Sequence, residues 1–107
     1  MKINPTTSFK AIFDKTRTAN LDFLKNAYYN ALNSERMDDF TEAKYNIKTS
    51  PNFTINLSKS SPQKDTFVFS GQELNTPLEV FIPKKTDSET PYLDSYVALS
   101  RIVKQLF

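Results

Sequence analysis

The segment PNFTINLSKSSPQKDTFVFSGQELNTPLEVFIP, residues 51–83, decides the fold. In residues 53–58 apolar and polar side chains alternate strictly, which is the period-two pattern of a strand with one buried face. Residues 66–69 are aromatic and β-branched and residues 78–82 alternate again, so each run indicates a further strand. We therefore expect a three-stranded antiparallel meander in which the only glycine, Gly71, ends the second strand.

A helix precedes this segment. Apolar residues recur at three- and four-residue steps, which is the spacing of one helix face packed on a core. The positions that we expect to form this core stripe are Leu21, Leu24, Tyr28 and Leu32.

A second helix follows the segment. Thr90 is a favourable N-cap and Pro91 is favourable at the first helical position. The helical spacing again continues to the end of the sequence, at Tyr92, Tyr96, Leu99, Val103 and Leu106.

Two shorter segments leave alternatives open. Residues 34–45, with Ser34 as N-cap and acids in the first turns, form a separate helix or continue the first helix after a kink. Within residues 1–18, the run 8–13 alternates like a strand and forms either a short edge strand or an ordered arm.

These elements predict an α+β fold: a small antiparallel sheet of three strands, or four if residues 8–13 pair, covered on one face by an N-terminal and a C-terminal helix. No repeat or long linker divides the sequence. We expect residues 1–107 to form one domain.

The composition excludes several classes of chemistry. The 107 residues include no histidine and no cysteine, so imidazole-dependent triads, thiolate nucleophiles, thiolate metal sites and disulfides are excluded. One glycine cannot build a P-loop or a dinucleotide-binding turn. We expect no cofactor and no enzymatic activity. A carboxylate-bound metal ion remains a distant third hypothesis, on Asp38, Asp39 and Glu42.

The sequence has no apolar run long enough to cross a membrane and no signal-peptide pattern, so we expect a soluble protein of the cytoplasm that does not bind membranes.

The high aromatic content favours a protein-interaction module that binds another protein or a second copy of itself. Nine Phe and five Tyr are more rings than one modest core needs, so some are candidates for an exposed patch, with a larger core as the alternative. The interaction candidates are Phe9, Phe13, Phe23 and Phe40.

Nucleic-acid binding is the alternative function. The first thirty residues hold five basic and two acidic side chains, a net charge of +3, which can neutralise phosphates while aromatic rings stack on bases. The ordinary explanation is a solvated basic surface. The candidate residues are Lys10, Lys15, Arg17, Lys25 and Tyr29.

Overall fold

The predicted α+β fold is confirmed. The residues that the computed structural model describes are 11–14, 16–49, 53–57, 66–73, 76–85 and 87–106. The strands in this part of the chain are β1 (Ala11–Phe13), β2 (Phe53–Leu57), β3 (Thr66–Glu73) and β4 (Thr76–Pro83). The helices there are α1 (Thr18–Asn33), α2 (Met37–Lys48) and α3 (Pro91–Leu106).

The strands lie in the order β1-β2-β3-β4, and β2, β3 and β4 form the antiparallel meander that the alternation predicts. Phe69 lies between Leu57 and Val80, while Phe67 pairs with Ile82, so the apolar residues of neighbouring strands share one face. This face carries the helices and the core.

Near the start of the chain the structure has the edge strand and not the arm, because Ala11–Phe13 pairs with β2 as strand β1. This fourth strand pairs parallel to β2, with Phe13 beside Ile55, so the prediction of an antiparallel sheet does not hold for it. The chain must return across the sheet before it enters β2. Both α1 and α2 lie within that crossover.

The prediction that Gly71 ends the second strand is wrong. β3 continues to Glu73, and Gly71 pairs with Ile55 on one side and Leu78 on the other. Its φ angle is not positive, so it is extended like its neighbours and its lack of a side chain simply leaves room beside Ile55.

The face of α1 that packs on the core is not the predicted stripe. The core side of α1 consists of Asn20, Phe23, Ala27 and Ala31, all buried. Leu24 is half-buried, and Leu21, Tyr28 and Leu32 are exposed. The two small residues Ala27 and Ala31 have no exposed surface, which lets neighbouring elements approach the helix closely.

Of the two alternatives for residues 34–45, the structure has the separate helix, α2, but Ser34 is not its N-cap. Ser34 ends α1, where its hydroxyl donates to the Asn30 carbonyl, and Arg36 precedes α2. Between them Glu35 has φ 57°, and the Arg36 N–H donates to the Ala31 carbonyl over 2.8 Å. This is a Schellman ending with glutamate at the position where glycine is usual.

α3 begins as the sequence predicts, with Pro91 as its first residue. Its residues Tyr96, Leu99 and Val103 are buried in the core, together with Leu93, which the predicted stripe omitted. Burial raises the pKa of Tyr96 to about 12.

The core is aromatic at its centre. The Phe23 ring centroid lies 5.1 Å from that of Phe69 and 5.3 Å from that of Phe67, both edge-on, and 6.1 Å from that of Phe13. Edge-on pairs at this distance contribute roughly 0.5–1.5 kcal/mol beyond the burial of their surface. Phe13 and Phe23 therefore stabilise the fold.

Among the described residues, none of the helices has both the length and the apolar character needed to cross a bilayer.

Candidate functional site

The outward side of α1 carries four of the six large apolar side chains that are exposed among the described residues. We define the α1 outer face as Leu21, Lys25, Tyr28, Tyr29 and Leu32, which recur at helical spacing. Leu21 is 45% exposed, Tyr28 41%, Tyr29 48% and Leu32 51%. The other large apolar side chains that are exposed in this part of the chain, Tyr45 and Phe81, lie on different elements.

A buried residue on the core side of α1 fixes the rotation of the helix about its axis, and this rotation decides which residues are exposed. Asn20 is fully buried, and its Nδ2 donates to the Asp14 carbonyl over 2.8 Å and to Asn56 Oδ1 over 2.9 Å. Its Oδ1 accepts the Leu57 N–H at 2.7 Å. The side chain thus continues the hydrogen bonding of β2 beyond the end of β1. Because Leu21 follows Asn20 by about 100° around the helix, this anchoring turns Leu21 to solvent.

The two tyrosine rings of the α1 outer face are in contact with each other, and one of them also contacts a ring of α2. Tyr28 lies edge-on to Tyr29, with centroids 5.8 Å apart, and edge-on to Phe40 of α2 at 5.7 Å. Phe40 is half-buried and packs against the core. The face is therefore a preformed surface, because its central ring is already in contact with a second helix.

The electrostatic character of this face is close to neutral. Lys25 is its only charged residue, and Asp22, one of the neighbouring exposed residues, has the opposite sign. An apolar face with balanced charge is typical of a protein contact, whereas phosphate recognition needs several cations.

The four sequence-predicted interaction residues do not form a surface patch. Phe13 and Phe23 are buried, so the prediction of exposure is wrong for both, and they belong to the larger core that was its alternative. Phe40 is half-buried beneath Tyr28. Phe9 lies outside the described residues.

Of the five nucleic-acid candidates, the structure brings two together. Lys25 and Tyr29 are both exposed one turn apart on the α1 outer face. Arg17 is half-buried just before α1, and Lys10 and Lys15 lie outside the described residues.

A polar cluster joins the start of α2 to the start of α3, shortly after the C-terminal end of α1. We define the Arg36 hub as Arg36, Asp39, Ser88, Thr90 and Asp94. Arg36 Nε bonds Asp39 at 2.8 Å, and its Nη1 bonds Asp94 at 3.0 Å and Thr90 Oγ1 at 2.8 Å. The Ser88 hydroxyl donates to the second oxygen of Asp94 at 2.6 Å.

The titration of the hub follows from these bonds. Partial burial alone would raise the pKa of Asp94, but hydrogen bonds from Ser88, Arg36 and Thr90 outweigh it and hold that pKa below its usual range. Hydrogen bonds to Asp39 and Asp94 raise the pKa of Arg36. Arg36 and Asp94 therefore stay ionised at neutral pH.

Beside the hub, Asn30 of α1 satisfies the first turn of α3. Its Oδ1 accepts the backbone N–H groups of Tyr92, at 3.0 Å, and Leu93, at 3.3 Å. These are donors that a helix start leaves without an internal partner. α1 thus caps α3 through a side chain distant in sequence.

The carboxylate-metal hypothesis gains no support. Asp39 is ion-paired with Arg36, while Asp38 and Glu42 are exposed. In the part of the chain that the structure describes, no group of three metal-ligating acidic side chains comes together.

Sequence reasoning missed the α1 outer face because two apolar stripes run along α1. One contains Leu21, Tyr28 and Leu32, and the other contains Phe23, Ala27 and Ala31. The larger side chains favoured the first stripe as the core. The signal available was Asn20, whose amide can be buried only where hydrogen-bond partners are supplied to it.

Comparison with protein-family models, with curated protein sequences and with solved structures finds no match to this chain.

Proposed function

We propose that this protein is a non-enzymatic interaction module that docks through the α1 outer face, and that its partner is a second copy of the same chain. The observation that carries the proposal is the row of four large side chains on one rigid helix, each between about two-fifths and one-half exposed. Apolar side chains that cluster on one exposed face, unlike single scattered ones, mark contact sites.

The fit to a second copy follows from the spacing along α1. If two helices pair antiparallel about a two-fold axis near the middle of α1, Leu21 faces the second copy's Leu32, and the reverse contact is made at the same time. In that register Lys25 lies within reach of the second copy's Tyr28 and Tyr29. A lysine ammonium over a tyrosine ring is favourable, so in this register the cation of each copy meets aromatic rings of the other copy.

The expected affinity is modest. A large apolar side chain that is half-exposed has about 1 kcal/mol still to gain from complete burial. Four such side chains on each copy give about 8 kcal/mol, against an association cost of roughly 4–15 kcal/mol. At the low end of that cost about 4 kcal/mol remains, so we expect a weak, reversible dimer with a Kd of about 1 mM.

The absence of catalysis is part of the proposal. Its support is that the best-organised titratable groups, those of the Arg36 hub, bond one another, which is the pattern of a structural network. The cytoplasmic location stays a prediction.

Sedimentation velocity over a wide concentration range tests the proposal. We expect the wild-type mass to rise with concentration, and the variant Leu21→Ser with Leu32→Ser to remain monomeric. Both residues are about half-exposed, so the variant should still fold, which circular dichroism verifies. Tyr45→Ser is the matched control, because Tyr45 is 64% exposed on α2 and lies outside the α1 outer face. A wild type that stays monomeric, or a variant that associates equally, would reject the self-association.

Nucleic-acid binding is the second candidate, favoured by the adjacent exposed side chains of Lys25 and Tyr29. Fluorescence anisotropy with single-stranded DNA, duplex DNA and duplex RNA at about 50 and about 200 mM salt distinguishes it, because phosphate contacts weaken steeply as salt rises. We expect no binding. Salt-sensitive binding that Lys25→Glu abolishes would favour this candidate over self-association.

A further inference from the structure

A cavity of about 270 Å³ opens between the start of α2, the end of β4 and the middle of α3. We call it the α3 cavity. One wall is apolar and includes Ile82, Val97 and Ala98. Its volume accommodates a ligand of roughly ten non-hydrogen atoms, at the small end of natural binding sites.

The charges around the α3 cavity leave an excess of cations. Arg36, Lys85 and Arg101 line it, together with the carboxylates of Asp39 and Asp94. Both carboxylates are bound to Arg36, whereas Lys85 and Arg101 form no ion pair with any described residue. The bonds of Arg36 within the described part of the chain use its Nε and Nη1, which leaves the Nη2 donors available. The lining thus has one positive charge in excess.

A second observation comes from Ser95, which also lines the α3 cavity. Ser95 is 2% exposed, and its hydroxyl is the buried side-chain group that has no hydrogen-bond partner among the described residues. Buried hydroxyls are nearly always hydrogen-bonded, because leaving one without a partner costs stability. A rotation about the Cα–Cβ bond of Ser95 that turns this enclosed hydroxyl towards the cavity would let an acceptor bound there supply the missing partner.

We propose that the α3 cavity binds a small organic monocarboxylate with an apolar stem. A single negative charge matches the excess of one cation. The carboxylate oxygens accept from Arg101, Lys85 and the Ser95 hydroxyl, while the stem packs against the wall that contains Ile82, Val97 and Ala98. This site is independent of the α1 outer face, since none of its lining residues lies on α1.

The test is an NMR titration with benzoate as the probe and neutral benzamide as its isostere. We expect saturable amide shifts at Ser95, Val97 and Ala98 with benzoate, and binding of benzamide weaker by about tenfold, the difference that hydrogen bonds to a charged group produce. Phenyl phosphate, with a second negative charge, is expected to bind no more tightly than benzoate. Tighter binding of phenyl phosphate would overturn the match to a monocarboxylate.

Two variants locate the site. Arg101→Gln should weaken benzoate binding about fivefold, whereas Lys44→Gln, which removes an exposed cation of α2 away from the cavity, should leave it unchanged. Ser95→Ala should also weaken benzoate binding about fivefold, yet raise the urea midpoint of the unliganded protein because it removes the unpaired hydroxyl. Equal binding of benzoate and benzamide, or unchanged benzoate affinity in both Arg101→Gln and Ser95→Ala, would overturn the proposal.

Discussion

Asn20 holds α1 in the rotation that exposes its outer face, so its replacement by alanine tests the architecture directly. The substitution removes three hydrogen bonds of 2.7–2.9 Å from a side chain with no exposed surface. The Leu57 N–H loses its acceptor, and the Asp14 carbonyl and Asn56 Oδ1 lose their donor.

The size of the stability loss depends on whether these three groups find other hydrogen-bond partners. A buried group left without a partner costs about 1–3 kcal/mol, and the two half-buried acceptors recover part of that cost by binding water. We therefore expect Asn20→Ala to lower the free energy of unfolding by about 3 kcal/mol. The total free energy of unfolding of a domain of this size is roughly 5–15 kcal/mol, so the variant folds but is much less stable.

Urea unfolding followed by circular dichroism measures this change, and an unchanged m-value would show that the surface exposed on unfolding stays the same. Asn33→Ala is the matched control, because Asn33 is exposed at the end of the same helix and its loss should cost less than about 0.5 kcal/mol. An Asn20→Ala variant within about 1 kcal/mol of wild type would refute the anchoring role.

Two further predictions concern the ends of α1 and α3. Glu35→Gly should raise the free energy of unfolding by about 0.5–1 kcal/mol, because Glu35 has a positive φ that glycine adopts freely. As the control, Glu42→Gly inside α2 should lower it by about 1 kcal/mol. If urea unfolding shows that both variants are less stable than the wild type, the positive φ at Glu35 is contradicted. Since the folded pKa of Asp94 lies below its unfolded value of about 3.9, the hub stabilises the protein above about pH 4 and this contribution is lost as the pH falls through the folded pKa. As the pH falls below about 4, the free energy of unfolding should therefore decline more steeply in the wild type than in Asp94→Asn. Equal slopes for the two proteins in that pH range would exclude this role for Asp94.

The features that the sequence predicted correctly are those that depend on local pattern. Period-two alternation in residues 53–57 gives one buried and one solvated face whatever the strand pairs with. The Pro91 start of α3 is equally local, because the fixed φ of proline suits the first helical position, whereas the acceptor that caps the helix comes from the distant Asn30 and not from the predicted Thr90. Both were therefore predictable without knowledge of the tertiary structure.

The features that the sequence did not predict depend on partners distant along the chain. The rotation of α1 is fixed by Asn20 bonding Asn56 and Leu57, 36 and 37 residues away. The Arg36 hub joins residues 54 and 58 positions apart. Helical spacing cannot distinguish an apolar stripe that packs on the core from an apolar stripe that is exposed. The candidate site could therefore be identified only from the tertiary structure.

The central claim, that the α1 outer face docks on a second copy, is tested most directly by paramagnetic relaxation between two chains. Because the chain has no cysteine, a nitroxide can be attached at Asn33→Cys, which is exposed beside the face, in one copy and mixed with isotopically labelled wild type. The antiparallel pairing predicts selective broadening of the labelled amides around Leu21, at the far end of α1, and no such broadening from a nitroxide at Tyr45→Cys. Broadening confined to other elements, or none at concentrations well above the expected Kd, would contradict the account.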